Sequence, residues 1–201
     1  MKIDGPVTLA SRNAGKLAEL AALCRGELEL RLLPSSPEPP DVPENHDTYL
    51  GNALEKARAI AAFTGGAALA DDSGLEVDAL PGKLGVRSAR YGGTELDDRG
   101  RCELLLRELE SAGDRRARFR CVLVLAQGEK WISAEGALEG KIAPAPRGSG
   151  GFGYDPVFLL PGRDLTLAEI APADKNVLSH RAAAMRALLE LLRREGSSPL
   201  R

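Results

Sequence analysis

Apolar and polar positions change period several times along the chain, and each change marks an element. A short apolar run at residues 6–10 reads as a buried strand. Ser11-Arg12-Asn13-Ala14-Gly15-Lys16 then turns it into a helix whose inward positions are Leu17, Leu20, Ala21 and Cys24. Residues 27–33 alternate as a strand does, and five prolines between positions 34 and 43 require an extended surface loop. A helix starts near Asp47 with the stripe Leu50, Ala53, Leu54, Ala57 and Ile60, while Asn52 and Lys56, four apart, share another face. The apolar run 67–70 leads into Asp71-Asp72-Ser73-Gly74, read as a turn at a strand end, and residues 75–80 alternate as the next strand. Residues 88–93 form a small-residue loop, and residues 97–110 a helix with Cys102, Leu104, Leu105 and Leu109 inward. Two β-rich runs, 116–126 and 130–142, are separated by Gln127-Gly128-Glu129, the clearest hairpin signal, and belong antiparallel in a central sheet. A Pro/Gly loop at 144–151 delivers Gly151-Phe152-Gly153-Tyr154-Asp155-Pro156. Residues 171–178 read as a loop, Ser179 as the N-cap of a helix burying Met185, Leu188, Leu189 and Leu192, and 196–201 as a frayed tail.

Composition narrows the class. With 201 residues, 43% hydrophobic and 28% charged, the chain is long and apolar enough for one globular, bilobal domain spanning 1–201. A net charge of -2 argues against a broad nucleic-acid-binding face. Cys24, Cys102 and Cys121 are odd in number, widely spaced and set in apolar segments, so they read as reduced core thiols. Asp4, Gly5 and Pro6 stand where a signal peptide needs apolar residues, and no run has membrane length, which together point to a cytoplasmic protein without membrane association. His46 and His180 are the only histidines, so a divalent ion would be held by oxygens, and Mg2+ fits that best.

Several clusters carry candidate chemistry, each with two readings. Adjacent acids at Asp71 and Asp72 form either an acidic turn or a carboxylate pair that needs a cation, a shared proton or an open cleft. The loop from Ser11 to Lys16 follows a strand and opens a helix, as phosphate sites do, but it lacks the P-loop glycines and equally reads as an Asn cap beside a solvated lysine. Lys56 and Glu44 are either a ligand cation and a metal carboxylate or ordinary surface charges. The aromatic loop around Phe152 suits stacking on a planar base or packing on the core. His180 and Arg181 fall in the first turn of the last helix, where positive side chains are unfavourable unless an anion or carbonyl oxygen faces them.

Taken together, Ser11-Arg12-Asn13-Ala14-Gly15-Lys16, Asp71-Asp72-Ser73-Gly74-Leu75, Ser88-Ala89-Arg90-Tyr91, Gly151-Phe152-Gly153-Tyr154-Asp155-Pro156 and Ser179-His180-Arg181 resemble the inosine triphosphate pyrophosphatase family, in order and over nearly the whole chain. The resemblance implies an α/β fold: an elongated mixed central sheet with flanking helices, in two lobes around a nucleotide-binding cleft. It also implies a homodimer and Mg2+-dependent hydrolysis of inosine, deoxyinosine and xanthosine triphosphates to monophosphate and pyrophosphate.

Carried over onto this sequence, the resemblance makes Ser11, Arg12, Asn13, Ala14, Gly15 and Lys16 a phosphate-binding loop, with Lys56 on the same triphosphate. Asp72 matches the catalytic base and a metal ligand, Glu44 the other metal-associated acid, and Ser73 a substrate contact. Phe152, Gly153, Tyr154 and Asp155 line the base pocket, which Lys175, His180 and Arg181 complete, with Arg181 a donor to a 6-oxo group; Asp71 supports the metal or its waters. Leu84, Arg87 and Ala182 depart from the family pattern, where proline, an aromatic and glycine are common, and touch no proposed catalytic group. The rival readings are a pyrophosphatase for other modified nucleotides and a nucleotide sensor that binds without hydrolysis.

Overall fold

The computed structural model describes residue 3, residues 5–24 and residues 26–196; Asp4 and the tail from 197 onward, both given readings above, lie outside the described residues. Eleven elements follow one another: β1 (Val7–Leu9), α1 (Ala14–Cys24), β2 (Leu30–Arg31), α2 (Tyr49–Thr64), β3 (Ala67–Val77), α3 (Asp98–Glu108), β4 (Arg116–Gln127), β5 (Lys130–Ile142), β6 (Phe158–Leu159), α4 (Pro172–Leu178) and α5 (His180–Gly196). Short 3-10 turns occupy Gly85–Arg90 and Asp155–Val157. The strands form one mixed sheet in the order β2-β1-β3-β4-β5-β6. β1 runs parallel to both β2 and β3, pairing Val7 with Leu30 and with Ala67, whereas β5 and β6 are antiparallel through Lys141–Leu159 and Ile142–Phe158. The expected α/β class, a mixed sheet with flanking helices, is what the structure has.

Contacts divide the chain into two compact units: Met1–Asp72 with Cys121–Gly136 and His180–Arg201, and Ser73–Arg120 with Ala137–Ser179. In the first, Val7, Leu9, Leu69, Leu123 and Leu125 of the strands pack with Leu20 of α1 and Met185 and Leu188 of α5. Cys24 and Met185 bring their sulfurs to 3.9 Å where α1 meets α5. Gly136 permits the start of α5 to lie close on β5, since a Cβ there would stand 2.1 Å from the His180 carbonyl oxygen. Ala182 is buried in that packing with no exposure. In the second unit, Leu75, Val77, Leu105, Leu109, Ile142 and Leu84 surround Phe119 and Phe158, whose ring centroids are 4.7 Å apart. All three cysteines are buried free thiols, as expected.

Four local readings are corrected. The acidic stretch is no turn: β3 runs unbroken through Asp71, Asp72, Ser73 and Gly74 and joins what looked like two strands. Residues 171–178 are largely helical, forming α4, because Pro172 serves as an N-terminal helical residue rather than a breaker. On α1 the inward residues are Leu20, Leu23 and Cys24, while Ala21 faces solvent. The strand expected over 27–33 shrinks to the two residues of β2. By contrast, the helix at 97–110 is found as α3, with the Asp97 carboxylate accepting from the Gly100 N–H at 2.7 Å as its N-cap. The hairpin is found too, with Gly128 at φ 57 in its turn.

Glycine at position 74 is required by close approach, not by a turn. A Cβ would fall 2.1 Å from the Gly85 carbonyl oxygen and 2.6 Å from Ser88 Oγ, the hydroxyl that accepts the Leu75 N–H at 3.3 Å. Backbone cannot yield as a flexible side chain can, so Gly74→Ala is expected to destabilise by about 1–3 kcal/mol. Chemical denaturation measures this; an unchanged midpoint would mean the 3-10 turn shifts without cost.

Candidate active site

Successive residues of a strand point to opposite faces, so β3 separates the two neighbouring acids into different environments. Asp71 is fully enclosed. Its Oδ1 lies 2.6 Å from Lys16 Nζ, and its Oδ2 accepts from Arg181 Nε at 2.8 Å and from the Cys121 thiol at 3.2 Å. The guanidinium of Arg181, itself buried, also holds Glu19 of α1 through Nη1. Burial alone would raise the Asp71 pKa, but Arg181 and Lys16 outweigh it and hold the carboxyl well below the usual range. The same burial and the charge of Asp71 push the Cys121 thiol far up, so it stays protonated and donates.

Asp72 meets the opposite balance. Its Oδ2 accepts from Asn52 Nδ2 at 3.0 Å, and its Oδ1 is 3.6 Å from Lys56 Nζ. Lys56 donates to Glu44 at 2.7 Å and to the Asp71 carbonyl oxygen at 2.9 Å. Burial raises the Asp72 pKa by more than Lys56 and Asn52 lower it, and Glu44 adds to the rise. Burial works against the Lys56 charge, yet Asp72 and Glu44 more than restore it, so its pKa is raised. Two adjacent carboxyls thus receive different tasks: one is a permanent anion that holds cations, the other a carboxylate with raised proton affinity, the form suited to general base work.

The first loop builds a helix start. Ser11 Oγ accepts from the Asn13 N–H at 3.2 Å, and Asn13 Oδ1 accepts from the Lys16 N–H at 3.0 Å, so Asn13 caps α1. Ala14 and Gly15 form its first turn and expose its positive end, while Lys16 reaches inward. Arg12 turns away, toward the Pro39 carbonyl at 3.4 Å and Glu38 at 3.7 Å.

In the second unit, the aromatic loop is held in one conformation. Gly151 and Gly153, at φ 72 and 60, flank Phe152, and a Cβ on Gly151 would collide with Asp155 at 2.0 Å. Asp155 Oδ2 accepts from the Phe152 N–H at 2.8 Å and from Lys175 Nζ at 2.5 Å, and the same ammonium sits 4.7 Å from the Phe152 ring centroid. Tyr154 is buried and donates its hydroxyl proton to the Ser88 carbonyl at 2.7 Å, which makes it an anchor of this loop.

The sequence-derived residues therefore fall into three groups: Lys16 with Asp71 and Arg181, Lys56 with Glu44 and Asp72, and Phe152 with Asp155 and Lys175. Ser73 continues β3 beside Asp72, and His180 is buried as the first residue of α5. Two of these residues are enclosed by protein partners. Arg181 has Asp71 and Glu19 on its guanidinium and is only 2% exposed, so it holds the Asp71 carboxylate in place. The carboxylate of Asp71 is likewise held by Lys16, Arg181 and Cys121. Glu19 and the Asn52–Asp72 bond were missed; the i, i+3 spacing of Lys16 and Glu19 on α1 was the available signal for the first.

Glu44 and Asp72 converge on one ammonium, so their oxygens already share a point suited to positive charge. Among the described residues no group of three or more His, Cys, Asp or Glu side chains forms a metal cage. Two carboxylates without a full cage match the way Mg2+ is held when water and phosphate oxygens supply its other ligands. A groove of about 910 Å3 on the second unit, lined by Arg116, Arg118, Lys141 and Arg163 among others, contains none of the candidate site residues.

The chain is similar to known proteins over most of its length. Residues 7–191 match the model of the Ham1 family. A dITP/XTP pyrophosphatase from Thioalkalivibrio sulfidiphilus is 48% identical over 92% of this chain and 97% of its own length, and one from a Nostoc species is 49% identical over 90% and 91%. The solved structure of a Ham1 protein from Coxiella burnetii superimposes with a TM-score of 0.84 at 42% identity, covering 94% of this chain and 98% of the other.

Proposed function

The chain belongs to the Ham1 family, and from that membership and the site geometry we propose that it hydrolyses non-standard purine nucleoside triphosphates, namely inosine, deoxyinosine and xanthosine triphosphates, to the monophosphate and pyrophosphate. The observation that carries this reading is the division of labour between Asp71 and Asp72, one holding Lys16 and the other held at raised proton affinity beside Lys56.

Lys16, the start of α1 and Lys56 bind the triphosphate, whose charge they offset so that an oxygen nucleophile can approach the α phosphorus. Asp72 orients a water and takes its proton as the water oxygen bonds to that phosphorus; the bond from phosphorus to the α–β bridging oxygen breaks, and pyrophosphate leaves with the electron pair. Glu44 and Asp72 would hold Mg2+, which would supply further charge neutralisation on the phosphates. Phe152 stacks on the base, held there by Asp155 and Lys175. A 6-oxo purine presents an acceptor to donors such as Lys175, whereas adenine presents an amino group that leaves them unpaired, and an unsatisfied buried donor discriminates strongly.

The protein acts in this proposal as a cytoplasmic homodimer that clears the nucleotide pool. None of the described helices is long and apolar enough to cross a membrane. Pyrophosphate release from inosine, deoxyinosine, xanthosine and adenosine triphosphates and from modified pyrimidine nucleotides, with Mg2+ and with chelator, tests the reading. Metal-dependent turnover that favours the oxo-purines by about 100-fold or more is expected. Binding of inosine triphosphate without hydrolysis would establish a sensor instead, and preference for a pyrimidine would overturn the base assignment.

A further inference from the structure

In helix α3 the buried residues Cys102 and Leu105 fit a purely core role. Asp98 does not. Its side chain is 59% exposed, and the capping of α3 is already served by Asp97. Yet the Asp98 Oδ2 accepts from the Gly153 N–H at 2.8 Å, across 55 positions of sequence. Four residues on, the Cys102 thiol donates to the Gly153 carbonyl oxygen at 3.5 Å. One face of α3 therefore holds both polar groups of a single peptide residue, and that residue is the positive-φ glycine immediately after Phe152.

We propose that Asp98, assisted by Cys102, is a positioning residue for base recognition: it fixes the Gly153 backbone so that Phe152 presents its ring in the stacking orientation before substrate arrives. The inference rests on the proposed role of Phe152 as the stacking residue. The approach is held by the Gly150 N–H on the Ala168 carbonyl at 3.0 Å and Phe152 itself by Asp155, whereas Gly153, at φ 60 with open space where a Cβ would stand, has no steric restraint of its own. Anchoring Gly153 restrains the far side of Phe152 in advance, and so it strengthens binding without taking part in bond breaking. Burial raises the Cys102 pKa to about 12, with Asp98 adding to the shift, so the thiol remains a donor at neutral pH. Asp98 lies in the first turn of α3, where its charge is also favoured by the helix end.

The test is steady-state kinetics on the full chain for Asp98→Ala, Asp98→Asn and Cys102→Ala with inosine and adenosine triphosphates. Asp98→Ala is expected to raise KM for inosine triphosphate about tenfold, with kcat changed less than about twofold and the preference over adenosine triphosphate reduced. Asp98→Asn keeps an acceptor oxygen and should restore most of the loss, and Cys102→Ala should show a smaller change in the same direction. Hydrogen exchange at residues 151–154 should speed up in Asp98→Ala and not in Asp98→Asn. If wild type prefers inosine triphosphate while Asp98→Ala keeps its KM and its exchange rates, the positioning role is overturned and the stacking role stands. If wild type shows no oxo-purine preference at all, both fall together. A drop confined to kcat, with the same thermal midpoint, would also overturn the proposal, because it would place Asp98 in the chemical step.

Discussion

Asp72→Asn is expected to lower kcat for inosine triphosphate by about 10^3-fold while leaving the protein at least as stable as wild type. Both halves follow from one environment. The substitution is isosteric and keeps an acceptor for Asn52, whose amide meets Asp72 at 3.0 Å, so the fold around β3 has no reason to move. What is lost is the ability to take a proton from water. On stability, the Asp72 pKa is raised in the folded state by burial against Lys56 and Asn52. A carboxyl of raised pKa favours folding below its unfolded value, and that contribution disappears as pH rises through the folded value. At neutral pH the ionised side chain thus carries a residual cost, and a neutral amide removes it. Turnover and chemical denaturation of the same preparation check the pair of outcomes. Inactivity accompanied by a large fall in stability would move Asp72 from chemistry to scaffolding, and retained turnover would remove it from the mechanism.

Arg181→Met is expected to behave in the reverse way, destabilising by about 3–5 kcal/mol because it leaves two buried or half-buried acids, Asp71 and Glu19, without their shared partner. Its pH dependence has a definite sign. The Asp71 pKa is depressed in the folded protein: burial opposes ionisation, but Arg181 and Lys16 overcome it. Stability from a depressed carboxyl is complete above its unfolded value of about 3.9 and is lost as pH falls through the lower folded value. Removing Arg181 takes most of that contribution away. The difference between wild type and variant should therefore be greatest near neutrality and narrow in acid. Urea midpoints at pH 7 and pH 3 decide it, and a gap that is small or independent of pH would show that the Asp71–Arg181 pair contributes little.

The contrast between these two neighbours was not legible in the sequence, which presented them as a coupled acidic pair at a turn. Partners that separate their roles come from distant segments: Lys16 and Glu19 from α1, Asn52 and Lys56 from α2, Arg181 from α5. The same compensation explains why β3 does not break there, because a charged stretch continues as a central strand when its charges meet cations inside. Local signals were sufficient where the physics is local. The Asp97 cap, the Gly128 hairpin and the Asn13 helix start all depend on residues within a few positions of one another. Gly74 misled for the opposite reason, since its requirement is set by the Gly85 carbonyl, which no nearby residue announces. The ordered set of short stretches from Ser11 to Arg181 was readable as a resemblance, and the Ham1 match over residues 7–191 bears it out. Asp98 belongs to none of those stretches, and only its contact with Gly153 brings it forward.

The charge cluster around β3 has a consequence for which molecules can enter. Lys16, Lys56 and Arg181 stand against Glu19, Glu44, Asp71 and Asp72, three cations to four acids, each already matched to a neighbour. Such a cluster offers no surplus positive potential to lure free orthophosphate or other small anions, which are abundant and would otherwise block it. In the proposed reaction, a triphosphate accompanied by its own counter-cation would satisfy the spare acid and release the lysines at the same moment. The resting acidic excess of the cluster is thereby a filter on the ionic form of its visitor, applied before the base is ever inspected.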